Sequence, residues 1–325
     1  MNIAGSRVLV TGGAGFIGSH LTEKLLGMGA QVTVYDRFDD FYQGKESNIA
    51  EASKMAGFRL VKGDILDRDA LESSMKGMDL VFHMAGQAGV GFSVANPFQA
   101  NAVNVDGTLN VLWLAKAQGV KRIVNASSSS VYGRPEHLPI GEEHPKNPTS
   151  PYAVSKLAAE QYCSVFHRNF GTDVVSLRYF SVYGPRGRPD QVVHRFTSSL
   201  VKREPLVIHG DGSNTRDFTH VFDIVSATIL AGTTEGVGGE AFNIGFGART
   251  SINLLAEKLA SLMGMKGTVT PVHDAESKGD FPHTQADNRK AARLLGWEPS
   301  MSLDEGLKAY VGWFSEQEGL ARAAA

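Results

Sequence analysis

Tyr152 and Lys156 stand four residues apart in Pro151-Tyr-Ala-Val-Ser-Lys156, so a helix would carry both on one face. A phenol beside an ammonium can move a proton. A free tyrosine titrates near 10 and is a poor base at neutral pH, but a neighbouring positive charge favours phenolate. Upstream, Val124-Asn-Ala-Ser-Ser-Ser-Ser-Val-Tyr-Gly133 reads as a strand running into serines, one of which can hydrogen-bond a reacting oxygen. Earlier still, Thr11-Gly-Gly-Ala-Gly-Phe-Ile-Gly18 follows the apolar run Arg7-Val-Leu-Val10. Gly12, Gly15 and Gly18 form GxxGxxG: the first permits a tight turn, the second a close approach to pyrophosphate, the third close packing of helix on strand. A turn that holds a dinucleotide, then serines after a strand, then a proton-transfer pair, together predict redox chemistry at an alcohol carbon.

The phosphates would meet the N–H groups at the start of the following helix, with Phe16, Ile17 and Gly18 on the cofactor side. Asp36 ends the second apolar run, 18 residues past Gly18. A carboxylate there suits the adenine ribose and repels a 2′-phosphate, so NAD is expected rather than NADP. Arg37 complicates this, because an adjacent arginine can welcome that phosphate.

The elements that must position these groups alternate. Segments 7–10, 31–35, 58–62, 79–83, 122–125 and 172–179 read as strands. Helical patterns lie between them, notably 19–28, 100–118 and 152–169. Strands alternating with helices predict a parallel sheet covered on both faces. After Tyr183 the texture changes. Gly184-Pro-Arg-Gly-Arg-Pro189 is a breaker-rich loop. Beyond it short strands (206–208, 241–244, 267–272) mix with helices, as in a smaller, irregular domain. The segment near 218–231 is expected to return to the large sheet, and the tail 320–325 to fray.

At 325 residues the chain can bury a large core. A net charge of −2, from 32 basic and 34 acidic residues, argues against nucleic-acid binding through a basic surface. The single cysteine, Cys163, excludes an intrachain disulfide and a multi-cysteine zinc site, and reads as core filler. No stretch approaches the roughly 18 apolar residues of a membrane helix. The first strand begins within a few residues of Met1, leaving no room for a signal peptide. The expected setting is the cytoplasm, with no metal, membrane or nucleic-acid partner.

In chain order, Thr11–Gly18, Asp36, Gly63-Asp-Ile65, His83-Met-Ala-Gly86, Asn104-Val-Asp-Gly-Thr108, Ser127–Gly133, Tyr152–Lys156, Arg178–Pro185 and Arg216-Asp-Phe-Thr-His-Val221 resemble an extended short-chain dehydrogenase/reductase of the nucleotide-sugar epimerase/dehydratase group. The resemblance runs from residue 7 to about 295. It implies a Rossmann-type doubly wound parallel sheet with a smaller α/β substrate domain. Residues 1–183 would bind NAD, completed by about 215–240, and 184–325 would mainly bind a UDP-sugar. It also implies Ser128, Tyr152 and Lys156 as catalytic residues. Asp64 and Ile65 would flank adenine, Ala85 and Gly86 would lie by the pyrophosphate, and Asn104 would support the pocket. Arg216 would bind the nucleotide diphosphate, as a guanidinium suits bidentate phosphate contact. Gln87, Ser129, Ser181, Arg188, Val207, His209 and Lys278 complete the implied substrate side. Family members often form homodimers through the helices that here span 100–118 and 152–169.

Within the group, dehydratases follow the catalytic Thr with Asp-Glu, and decarboxylases tend to carry Glu just before Val-Tyr-Gly. Ser129 and Ser130 stand there instead. Elimination then lacks its acid/base carboxyl, whereas 4-epimerisation needs only the Tyr, the Ser and NAD. Tyr179-Phe-Ser-Val-Tyr-Gly-Pro-Arg-Gly-Arg-Pro-Asp190 resembles UDP-glucuronate 4-epimerases, with Ser181 where UDP-glucose 4-epimerases usually have Asn. A hexuronate brings a carboxylate, for which Ser181 offers a hydrogen bond and Arg188 a charge-assisted pair. Two departures stand out. Gly91 replaces an arginine frequent in uronate epimerases, and Ser277, beside Lys278, replaces a second diphosphate arginine. The alternatives are a UDP-glucose or UDP-N-acetylglucosamine 4-epimerase, a UDP-glucuronate decarboxylase, or a non-enzymatic NAD-binding regulator. Retention of both Tyr152 and Lys156 argues against the last.

Overall fold

Strand side chains alternate between two buried faces. In β1 (Arg7–Thr11), Val8 and Val10 enter one core and Leu9 the other. This is the pattern of a sheet covered by helices on both sides. A computed structural model describes residues 1–268, 270–275 and 281–319. Its main sheet joins β1 to β2 (Gln31–Asp36), β3 (Phe58–Lys62), β4 (Leu80–His83), β5 (Arg122–Ser128), β6 (Val174–Tyr179) and a seventh strand, Ala241–Ile244. All pairs are parallel, and the order is Ala241–Ile244, β6, β5, β4, β1, β2, β3. The order reverses between β1 and β4, so the chain leaves these strands in opposite directions and a crevice opens at their C-terminal ends. This is the expected doubly wound Rossmann-type architecture.

Helices Phe16–Gly27 and Val221–Thr233 cover one face through Leu21, Leu25, Ile224 and Val225. Helices Gly107–Ala117 and Pro151–Phe170 cover the other through Val111, Leu112, Cys163 and Phe166, so Cys163 is core filler as expected. The helix Pro151–Phe170 starts where Ser150 Oγ accepts the Ala153 N–H at 3.2 Å and Pro151 occupies the first turn. It stops at Gly171, in the left-handed conformation. Tyr152 therefore sits in the first turn, at the crevice.

A second core joins Tyr183, Phe196, Leu206, Leu255, Leu307 and Phe314, from helices Val192–Lys202, Ile252–Leu262 and Leu303–Gln317 and the strand Leu206–His209. The strand Ala241–Ile244, expected among the short strands of this smaller unit, is instead the edge of the large sheet, registered on β6. Four residues carry too little pattern to say which sheet they join. The large unit thus extends past the 215–240 segment expected to complete it. The strand expected at 267–272 is found at Pro271–Asp274. The expected helix 100–118 begins at Pro97 and passes through a π-helical stretch, Ala102–Asp106. Lys278 and the tail 320–325 lie outside the described residues. Among those described, no helix is long and apolar enough to cross a membrane, and no cluster of His, Cys, Asp or Glu could hold a metal ion.

Candidate active site

The site is assembled at strand ends. Gly12 follows β1, Asp36 ends β2, Gly63 and Asp64 follow β3, Ala85 and Gly86 follow β4, Ser128 ends β5 and Ser181 follows β6. One open cleft runs from the glycine turn to Tyr152 and Lys156. Gly12, Gly15, Phe16, Ile17, Gly18, Asp36, Asp64, Ile65, Ala85, Gly86 and Gln87 line it.

Two glycines of the turn are irreplaceable on steric grounds. Gly12 has φ +67°, and a Cβ there would lie 2.6 Å from the Ala85 nitrogen. A Cβ on Gly18 would lie 2.1 Å from the Gly12 carbonyl oxygen. Gly15 caps the helix Phe16–Gly27 without a side chain, and no acidic residue stands in its first turn. Uncapped N–H groups at a helix start, reached by bare backbone, suit a diphosphate. Asp36 is buried, and its carboxylate accepts the Ala14 N–H at 3.1 Å and the Phe38 N–H at 2.9 Å. It therefore staples the turn as well as facing the cleft, and burial raises its carboxyl above the usual range. Arg37 pairs with Asp39 at 2.5 Å and Asp64 at 3.3 Å. Lys45 pairs with Asp39 at 2.5 Å and lies 3.8 Å from Asp36. Three carboxylates thus surround two cations, and a 2′-phosphate would meet a net negative patch. That settles the complication raised by Arg37 in favour of NAD.

At the other end, Ser127 rather than Ser128 lines the cleft, and the Ser128 hydroxyl lies beside the Tyr152 phenol. Ser128 Oγ also donates to Ser130 Oγ at 3.0 Å and accepts the Ser130 N–H at 3.2 Å. Burial raises the Tyr152 phenol above its ordinary value; the neighbouring Ser128 hydroxyl and the Arg188 charge pull it down, and Asp190 adds to the rise. Burial also lowers the Lys156 ammonium to about 8. The expected lowering of the phenol by Lys156 is not what the protein alone provides: desolvation governs both groups. Lys156 Nζ donates to the Ala126 carbonyl at 2.9 Å. It also lies 3.0 Å from where a Cβ would stand on Gly86, facing the cleft.

Asn104 does not line the cleft. It sits behind it, in the π-helical stretch, accepting the Gln87 N–H at 2.7 Å and donating to Gln87 O at 3.0 Å and Ser155 Oγ at 2.9 Å. It locks the loop after β4 to the helix that carries Tyr152, and single π turns are frequent at such points. Glu160 of that helix binds Ser127 Oγ at 2.9 Å and pairs with Arg178 at 2.5 Å, tying it to β5 and β6. Sequence reasoning missed these ties, and it also missed Asp39, Phe41, Tyr42 and Lys45 along the cleft. The aromatic run right after Asp36 was the available signal.

A second cavity adjoins the first. Ser181, Val207, His209 and Arg216 line it together, as the sequence predicts for the substrate side, and Gly91 opens onto it from the helix Val90–Ala95. Arg216 lies 5.6 Å over the Phe281 ring and donates to the Thr215 and Pro282 carbonyls at 2.9 and 3.1 Å. Three expected members are elsewhere, among them Gln87, which lines the first cleft. Ser129 is buried in the short turn Ser129–Tyr132 and lines neither cavity. Arg188 lines the first cleft and is held by Asp190 at 2.9 and 3.0 Å through two nitrogens.

A dinucleotide cleft ending at a Ser–Tyr–Lys group, beside a cavity with an arginine, defines an NAD-dependent enzyme acting on a nucleotide-linked alcohol. A profile of the NAD dependent epimerase/dehydratase family matches residues 8–245. The chain is 39% identical over 321 residues to a UDP-glucuronate 4-epimerase of Thermodesulfobacterium geofontis, covering 97% of this chain and 98% of that one. It is 38% identical over 314 residues to a UDP-glucose 4-epimerase of Mycolicibacterium smegmatis, covering 95% and 98%. The crystal structure of a UDP-glucuronic acid 4-epimerase from Bacillus cereus, in complex with UDP-glucuronic acid and NAD, superposes with a TM-score of 0.91 at 35% identity over 96% of this chain and 99% of that one. The chain belongs to the NAD-dependent epimerase/dehydratase family, with the extended short-chain dehydrogenase/reductase fold. It is an NAD-dependent nucleotide-sugar 4-epimerase.

Proposed function

We propose that this enzyme interconverts UDP-glucuronate and UDP-galacturonate. The observation that carries the reading is that Arg188 lines the same cleft as Tyr152. The carboxylate of a hexuronate hangs from C5, one carbon from the reacting C4. A guanidinium beside the catalytic phenol suits that anion, and a neutral hexose needs none. Tyr152 takes the proton from the C4 hydroxyl while Ser128 hydrogen-bonds the oxygen as it becomes a carbonyl. NAD, when bound, accepts the C4 hydride and returns it. Lys156 supports Tyr152 and holds the coenzyme ribose. Arg216 grips the diphosphate while the 4-keto sugar turns to present its other face. That intermediate is a β-keto acid and is prone to lose carbon dioxide. Arg188 and Ser181 restrain its carboxylate, and Ser129 and Ser130 offer no carboxyl to promote the loss.

The bidentate Asp190–Arg188 pair favours a second reading, 4-epimerisation of UDP-glucose or UDP-N-acetylglucosamine. A cation already neutralised within the chain leaves room for a neutral sugar. Incubating the enzyme with each of the three UDP-sugars, followed by proton NMR, separates the two. Preferred conversion of UDP-glucuronate to UDP-galacturonate supports the first reading. Preferred conversion of UDP-glucose or UDP-N-acetylglucosamine supports the second, and a UDP-pentose product defeats both.

The same proposal includes a homodimer in the cytoplasm. Phe98, which is 90% exposed, with Trp113, Val154, Tyr162 and Phe170, leaves an apolar surface on the helices of the 97–117 and 151–170 segments.

A further inference from the structure

Between β2 and the short helix Lys45–Asn48, the chain crosses the coenzyme cleft as a strap, residues 38–44. Phe38 takes φ 54° at its start, a conformation that is uncommon for a bulky residue. At its middle the Phe41 ring meets Phe92 of the helix Val90–Ala95 edge to face, with centroids 5.2 Å apart. The position of a Cβ on Gly89 lies 3.6 Å from Phe41 and 3.7 Å from the Asp190 carboxylate. The strap therefore reaches the rim of the substrate cavity.

Its next residue, Tyr42, is at odds with ordinary packing. The phenol oxygen is buried and has no hydrogen-bond partner among the described residues. It lies 3.6 Å from where a Cβ would stand on Gly15. The Phe16 N–H points toward it without closing a hydrogen bond. Lys45 Nζ is 5.5 Å from the ring centroid, and the Arg188 charge also acts on the phenol. Burying an unpaired hydroxyl is costly, so such a group signals a missing acceptor. Burial pushes this phenol up to about 12, so it remains a donor at any physiological pH.

We propose that Tyr42 is a coenzyme-binding residue, its hydroxyl donating to the diphosphate of the dinucleotide from a strap latched by Phe41 on Phe92. The inference rests on the coenzyme cleft and is independent of which sugar the second cavity accepts. The test titrates coenzyme-free protein with NAD, ADP-ribose and adenosine by calorimetry, for the natural chain and for Tyr42→Phe. A hydrogen bond to a charged group predicts about a tenfold or greater weakening for NAD and ADP-ribose. Adenosine, lacking the diphosphate, should bind Tyr42→Phe within twofold of the natural chain. NAD and ADP-ribose binding within twofold, or an equal loss with adenosine, overturns the proposal. Thermal melting of ligand-free Tyr42→Phe at or above that of the natural chain confirms that no fold defect is being read. Phe41→Ala, which removes the latch, should speed NAD release from the holoenzyme by about twofold to tenfold in a stopped-flow chase. An unchanged release rate removes the latch from the proposal.

Discussion

The coenzyme cleft and the substrate cavity are neighbours built by different means. The cleft is made of backbone at the ends of β1, β2, β3 and β4, with glycines where nothing larger fits. The cavity is made of side chains from scattered segments: Ser181, Val207, His209, Arg216 and the helix Val90–Ala95. The first is fixed by the geometry of a sheet, the second by choices at single positions. One fold can therefore keep its coenzyme while its sugar varies.

The comparison can be broken most sharply at Gly18. A Cβ there, 2.1 Å from the Gly12 carbonyl, cannot be accommodated without opening the turn, so Gly18→Ala should abolish NAD retention through gel filtration. Retention of stoichiometric NAD would mean that the cleft is not set by this backbone contact. In the cavity, Arg216→Ala should raise KM for the UDP-sugar about tenfold to a hundredfold, with NAD still bound. A change in NAD affinity of similar size would join two regions that are separate in the structure.

A smaller effect follows from Lys156. Its folded-state value of about 8 lies below the unfolded value of about 10.4, so the unfolded chain binds the extra proton between them. Through this group stability should rise as pH climbs from about 8 to about 10, and Lys156→Met should lose that rise. Parallel urea-unfolding profiles for the two proteins across that window would contradict it. The smallest effect belongs to Gly91, around which a Cβ would meet nothing within 4 Å. Gly91→Arg should change stability by no more than about 0.5 kcal/mol. It should also shift preference toward UDP-glucuronate over UDP-glucose, and a shift toward UDP-glucose would show that this wall does not face the sugar carboxylate.

The same contrast explains what could be read from the sequence. The glycine turn, Asp36, the serines and Tyr152–Lys156 are legible because each stands at a fixed offset from a strand or helix end. Ser181, Val207, His209 and Arg216 were found through family resemblance, and they do share a cavity. Arg188 shows the limit. Its guanidinium was expected to meet a sugar carboxylate, but its partner within the chain, Asp190 two residues on, depends on a local loop geometry with no periodic signal. Ser129 lies buried in the short turn after β5, and Ser127 rather than Ser128 or Ser129 lines the cleft, an outcome of local turn geometry that the run of four serines does not reveal. The edge strand Ala241–Ile244 was assigned to the wrong unit because four residues do not name their sheet. Tyr42 reaches the cleft through tertiary contacts that neither spacing nor composition encodes, and Asn104, named through family resemblance, ties Gln87 to Ser155 behind the cleft.

The central claim is that Tyr152 and Ser128 serve a reversible oxidation at the sugar C4, with the hydride kept inside the protein. It is tested most directly with UDP-glucuronate deuterated at C4, incubated with the purified enzyme without added coenzyme and followed by NMR. The account predicts UDP-galacturonate carrying the deuterium at C4, with Tyr152→Phe slower by a hundredfold or more, on the order of a lost general base. Deuterium lost to water during epimerisation, or a Tyr152→Phe enzyme of near-normal speed, would contradict it.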